Sequence, residues 1–155
     1  MQARPLEAYR SGLVTVGQRV GIYIPVPAVI ASSPSSFYVA DQTFAHVPVN
    51  SVTFAIPSGG GWTSAQWDVN HTLTNVTGMN EKLQIGTTGG NVLTPTARNA
   101  DGTYAESVAA SAAQLININA AAGGNLTVSI NEDPSIPFIN FGFQDLANSF
   151  TLTLS

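Results

Sequence analysis

Leu126-Thr127-Val128-Ser129-Ile130 alternates strictly between apolar and hydroxyl-bearing side chains. A period of two puts Leu126, Val128 and Ile130 on one face of a strand and Thr127 and Ser129 on the other. The small, glycine-bearing run Ala120-Ala121-Ala122-Gly123-Gly124-Asn125 precedes it, and Leu115-Ile116-Asn117-Ile118 precedes that. Residues 115–130 therefore read as a β-hairpin. One step upstream, Tyr104 to Ala113 is Ala-rich, with Tyr104, Val108 and Ala112 at i, i+4 and i+8. This is the helix candidate of the chain, and at about ten residues it depends on packing for its stability.

The same period of two recurs outward from this stretch. Val52, Phe54 and Ile56 alternate in one segment, Leu83 and Ile85 in another, and Phe150-Thr151-Leu152-Thr153-Leu154 near the C-terminus. Trp67 and Val69 open a strand that Leu73 to Val76 continues through a kink near His71. Phe37 to Ala40, Val47 to Val49, Val92-Leu93 and Phe138 to Phe143 are shorter candidates, and Leu13 to Val16 leads into Val20, Ile22 and Ile24. Pro25 and Pro27 remove two backbone donors, which suits an edge or the exit from a sheet. Turn-forming clusters separate these runs, among them Ser32 to Ser36, Pro57 to Gly61, Gly86 to Gly90 and Asn99 to Gly102. Short alternating strands with regular turn signals predict an all-β fold. The expected form is an antiparallel β-sandwich or a jelly-roll-like barrel with at most one short helix. Residues 1–10 lack strand periodicity and read as an extended N-terminal arm, which leaves 11–155 as a single β domain.

The 155 residues suffice for one domain. Only 9% of them are charged, against about 25% in an ordinary soluble domain. Ser, Thr, Asn and Gly supply the polarity instead. A surface so poor in charge suits a protein whose flanks are covered by neighbours, because a free monomer relies on charge for its colloidal stability. Five basic residues against nine acidic ones argue against nucleic-acid binding. No apolar run approaches the ~20 residues of a membrane-spanning helix, and no apolar segment of secretory type follows the N-terminus. The absence of cysteine excludes disulfides, a thiol nucleophile and Cys-ligated zinc. Arg4, Arg10 and Arg19 against Glu7 give the first 19 residues a net charge of +2 within a chain of net −4. The arm is therefore suited to docking on an acidic neighbour.

Catalytic constellations are sparse. His46 and His71 are the two histidines, no Gly-x-Ser-x-Gly is present, and Asp68 and His71 fall on opposite faces of a strand. Nothing fixes His46, His71 and Asp68 together as a zinc site. Asn99-Ala100-Asp101-Gly102 matches part of a calcium loop, but Ala97 and Val108 stand where ligating acids are needed. Gly59-Gly60-Gly61 is followed by Trp62 rather than by a phosphate-loop lysine. Trp62, Trp67, Tyr38 and Tyr104 suit either a hydrophobic core or a sugar-stacking platform. Three Asn-x-Ser/Thr sequons, at Asn70, Asn75 and Asn125, are close to the number that chance supplies. No enzyme activity, cofactor or metal is expected.

The arginine-bearing arm, the Gly/Ala/Asn/Thr-rich β body, the lack of cysteine and the alternating strand Phe150–Leu154 together resemble the capsid decoration (cement) proteins of tailed bacteriophages. The resemblance is one of general character and includes no signature motif. It implies a virion structural protein on the outer capsid surface, a homo-oligomer, often a trimer. It would bind the major capsid protein or other virion subunits, and neither nucleic acid nor a membrane. In the adhesive arm, Arg4, Leu6, Tyr9 and Arg10 are the expected partner-binding residues. Two other readings share the fold: a carbohydrate- or receptor-binding β-sandwich of a phage tail or cell surface, and a single jelly-roll protein that itself forms the capsid.

Overall fold

A computed structural model describes residues 24–39, 51–76, 78–133 and 142–155. The arm at 1–10, with Arg4, Leu6, Tyr9 and Arg10, lies outside the described residues. So do His46, the strand candidates at 13–23 and 47–49, and most of the one at 138–143.

Among the described residues nine strands and one helix follow in order: β1 (Ala28–Ala31), β2 (Phe37–Tyr38), β3 (Ser51–Ala55), β4 (Ala65–Thr74), β5 (Leu83–Thr87), β6 (Gly90–Leu93), β7 (Gly102–Ala109), α1 (Ala112–Ala120), β8 (Asn125–Glu132) and β9 (Gln144–Leu154). They form two antiparallel sheets. One runs β1-β9-β4-β7, with β2 paired to β9; the other runs β3-β8-β5-β6. Leaving β2 aside, the partners nest: first with last (β1/β9), then β3/β8, β4/β7 and β5/β6. Nested antiparallel pairs divided between two sheets are the winding of a jelly roll. The sheets do not close on each other, so the fold is a sandwich and not a barrel.

The predicted alternation holds where burial is one-sided. Along β4 the odd positions Ala65, Trp67, Val69, His71 and Leu73 are buried, and the even ones face outward. Phe54 of β3 meets Trp67 at 5.5 Å and Phe150 of β9 at 5.0 Å, edge to face, which joins the two sheets through one core. Such aromatic pairs contribute about 0.5–1.5 kcal/mol beyond their buried area. Trp67 and Trp62 both belong to this core, at 0% and 4% exposure. The kink expected near His71 is a register shift between β4 and β9 at Asn70/His71, which turns the consecutive side chains Asn148 and Ser149 outward together.

Two local expectations exchange places. Most of the segment predicted as a helix, 104–113, lies in β7, and the first arm of the predicted hairpin, 115–118, lies within α1. Tyr104 and Val108, read as a helical i, i+4 pair, are equally i and i+4 on one face of a strand, with Glu106 between them. The helix is decided at its start. Ser111 is the N-cap and accepts from the Gln114 backbone N–H (3.1 Å), while Gln114 Oε1 accepts from the Ser111 N–H (3.3 Å). This capping box satisfies donors that a helix N-terminus otherwise leaves open.

Candidate functional site

The two ends of the sandwich differ in chemistry. The main apolar core occupies the middle and one end. Toward the other end, the inward positions on both sheets become ionisable, and beyond them lies a second apolar cluster of Leu73, Val76, Met79 and Phe143. The intervening layer contains His71 of β4, Asp145 of β9, Glu106 of β7, Glu132 of β8 and Glu81 just before β5. His71 (2% exposed) donates from Nδ1–H to both oxygens of Asp145 (0% exposed), at 2.8 and 3.0 Å. Arg98 Nε donates to the buried Glu106, and its guanidinium lies 4.5 Å from the centre of the Tyr104 ring. Neither carboxyl oxygen of Glu81 has a hydrogen-bond partner, nor has His71 Nε2. Burial pushes the Glu81 pKa up to about 9, helped by the nearby carboxylates of Glu132, Asp145 and Asp133. The Asp133 backbone N–H works against this shift but is already bonded to Lys82 O (2.9 Å). Glu81 is thus protonated at neutral pH.

Among the described residues the opposite end is built from 24–27, 57–64, 87–90 and 110–124, none of which carries a charged side chain. Its buried polar groups are fully used. Gln114, 0% exposed, accepts from Trp67 Nε1 (3.1 Å) in one sheet and donates to Ile85 O (3.1 Å) and Gly90 O (2.8 Å) in the other. With the Ser111 contact, all four of its hydrogen-bonding positions are occupied. Asn119 holds Trp62 by both backbone groups, at 2.9 and 3.0 Å.

Between the two ends, the outer faces of the sheets are neutral and hydroxyl-rich. On the β9-β4-β7 face they present Gln66, Asn70, Thr72, Thr103, Ser107, Asn148, Ser149, Thr151 and Thr153 around one carboxylate, Asp68. Asp68 accepts from Gln66 Nε2 (2.7 Å), Ser107 Oγ and Thr153 Oγ1 (3.1 Å). A shallow depression of about 160 Å³ opens there among Asp68, Asn70, Ser107, Ser149 and Thr151. The charged residues among those described are all half-buried or buried except Asp101, which is exposed. Its carboxylate accepts from the Val76 backbone N–H (2.9 Å), the turn role that competed with the calcium-loop reading.

The structure keeps Asp68 and His71 apart, outward and inward on β4. Among the described residues no group of three or more His, Asp or Glu is arranged to hold a metal. No helix among them is long and apolar enough to cross a membrane. The two tryptophans offer no exposed platform. Sequence reasoning missed the His71–Asp145 pair, whose members are 74 residues apart. It also missed Gln114, although Ser111-x-x-Gln114 is a readable capping signal. No family model matches the chain, and no curated protein is detectably similar to it in sequence.

Proposed function

We propose that this protein is a structural subunit of a virion, a capsid decoration protein that binds the outer capsid surface as an oligomer and stabilises the shell by adhesion. The observation that carries the reading is the scarcity of charge at the surface: among the described residues Asp101 is the one charged residue that is exposed, and the others are half-buried or buried. Covering a neutral Ser/Thr/Asn face costs little desolvation, and its hydroxyls and amides supply hydrogen bonds to a partner. Major capsid protein or another virion subunit would then cover the outer sheet faces, with Arg4, Leu6, Tyr9 and Arg10 contributing from the arm. The test is co-sedimentation of the purified protein with capsids that lack it. The expected result is saturable binding, lost on deletion of residues 1–10, together with a higher shell melting temperature. A protein that stays single at high concentration and does not co-sediment overturns the reading.

The nested strand order favours a second reading, a single jelly-roll capsid protein, since that winding is common among shell subunits. The two separate cleanly: a shell protein closes into particles by itself, whereas a decoration protein requires a preformed surface. The carbohydrate-binding alternative loses its sequence support with the burial of Trp62 and Trp67.

A further inference from the structure

Two connections close the ionisable end of the sandwich. β4 and β7 lie in one sheet, β5 and β6 in the other, so the chain crosses between the sheets from β4 to β5 and again from β6 to β7. Backbone hydrogen bonds staple the two crossings together. The Glu81 N–H donates to Arg98 O, and the Arg98 N–H donates to Glu81 O (2.7 Å). On one side of this bridge Gly78 N–H donates to Asn99 O (3.3 Å). On the other, Leu83 N–H donates to Thr94 Oγ1 (3.0 Å) and Thr94 N–H to Leu83 O (2.9 Å). Residues 78–83 and 94–99 thus form a strap, which the Arg98 guanidinium anchors to Glu106 and Tyr104 of β7.

Glu81 sits at the middle of the strap. The residue is 1% exposed, and neither of its carboxyl oxygens has a hydrogen-bond partner. Most of what faces it is acidic. Glu132 of β8 lies opposite Leu83, on the inner face that Glu81 and Leu83 share, and Asp133 follows, its N–H bonded to Lys82 O. From the other sheet come Asp145 of β9 and His71 of β4, bonded to each other, and Glu106 of β7, bonded to Arg98. Lys82 follows Glu81 on the opposite face of the chain.

We infer that the strap is a proton-operated latch, shut while the Glu81 carboxyl is neutral and opened, with the rest of the sandwich still folded, when that proton is lost. The latch is a property of the fold and holds whatever the outer faces bind. An ionised Glu81 beneath a closed strap is a buried charge with no partner, among carboxylates of the same sign. Lifting the strap relieves it by breaking a few backbone bonds, and segments held by so few bonds open locally before the whole fold does. The far end stays joined through Gln114. Closed, Glu81 gives up its proton near pH 9; open, it does so near 4.5. Between these limits each rise of one pH unit favours the open form about tenfold.

The strap carries its own reporter. Lys82 and Arg98 are the trypsin sites within it, and the other three basic residues, Arg4, Arg10 and Arg19, all precede residue 20. Cleavage after Arg98 releases residues 99–155, a fragment identified by its mass. Its rate is measured from pH 7 to 8.5 and divided by the rate for a free peptide of residues 94–103, which removes the pH dependence of trypsin itself. With opening fast relative to cleavage, the rate tracks the open population. The expected result is a rise of more than about tenfold in the wild type and a flat profile in Glu81→Gln. Amide exchange, corrected for its intrinsic pH dependence, is expected to lose protection in 78–83 and 94–99 while α1 and the stretch of β4 around Trp67 keep theirs. Equal pH profiles for the two proteins overturn the inference. So does protection that falls in α1 and β4 in step with the strap, since the opening would then be global unfolding. Glu81→Met, equally unable to ionise, replaces Glu81→Gln if that variant does not fold, and the wild-type exchange map decides the question if neither does.

Discussion

The two ends of the sandwich solve the same problem in opposite ways. Each places polar side chains between the sheets, where an unpaired group costs about 1–3 kcal/mol. At the helix-capped end the groups are neutral amides, and Gln114 has a partner for every donor and acceptor. At the ionisable end they are acids and a histidine, and the Glu81 oxygens and His71 Nε2 have none. Satisfied amides tie the sheets together at any pH. A layer of buried acids makes stability depend on protons. The lesson is that polarity inside a small β-sandwich is tolerated when each group is satisfied, and becomes a titration when it is not.

The contrast is tested most severely at His71. His71→Ala removes the imidazole facing the buried Asp145 carboxylate and is expected to cost about 3–5 kcal/mol in urea unfolding at pH 7. A cost below 1 kcal/mol would mean that the pair is not what holds that end.

The next effect is opposite in sign. Folded Glu81 keeps its proton up to about pH 9, while the unfolded chain releases it near 4.5. The linked stability is therefore complete below about pH 4.5 and is lost progressively as the pH rises toward 9. Glu81→Gln removes that slope. Relative to its standing at pH 4, the variant is expected to gain on the wild type by about 3 kcal/mol at pH 7. Parallel pH profiles for the two proteins would break the comparison.

At the other end, Gln114→Ala strands the buried Trp67 Nε1 and is expected to cost about 2–3 kcal/mol, with little pH dependence between 5 and 8. Gly89→Ala sharpens the same point. Its new Cβ would lie 2.5 Å from Ala113 O and 2.6 Å from Ala113 C, backbone atoms of the helix that cannot swing aside. A loss of about 1–3 kcal/mol in thermal unfolding is expected. The smallest effect belongs to the outer face. Asp68→Asn should change stability by less than about 1 kcal/mol, because the site is partly solvated, and a larger change would place Asp68 among the groups that hold the fold.

Much of the architecture was legible. Alternation at Val52–Ile56, Leu83–Ile85, Leu126–Ile130 and Phe150–Leu154 located four strands, each with one face in the core. The misreading at 104–118 has a physical origin. Positions four apart share a face in helix and strand alike, and a run of four residues such as Leu115–Ile118 has too little length to declare a period. The capping box at Ser111 was the discriminating signal, and it concerns hydrogen bonds rather than hydrophobicity. The site was less legible, because the ionisable layer is assembled from β4, β7, β8, β9 and the residues before β5 by register, and register is set by pairing rather than by any local pattern.

By itself the sequence determined that this chain is β-rich and short of charge, since period and composition are local properties that any window of residues displays. Tertiary structure alone decided where the charges went and which apolar side chains were left facing water. Those outcomes depend on what lies across the sandwich from each residue, and a linear chain does not record its opposite partners.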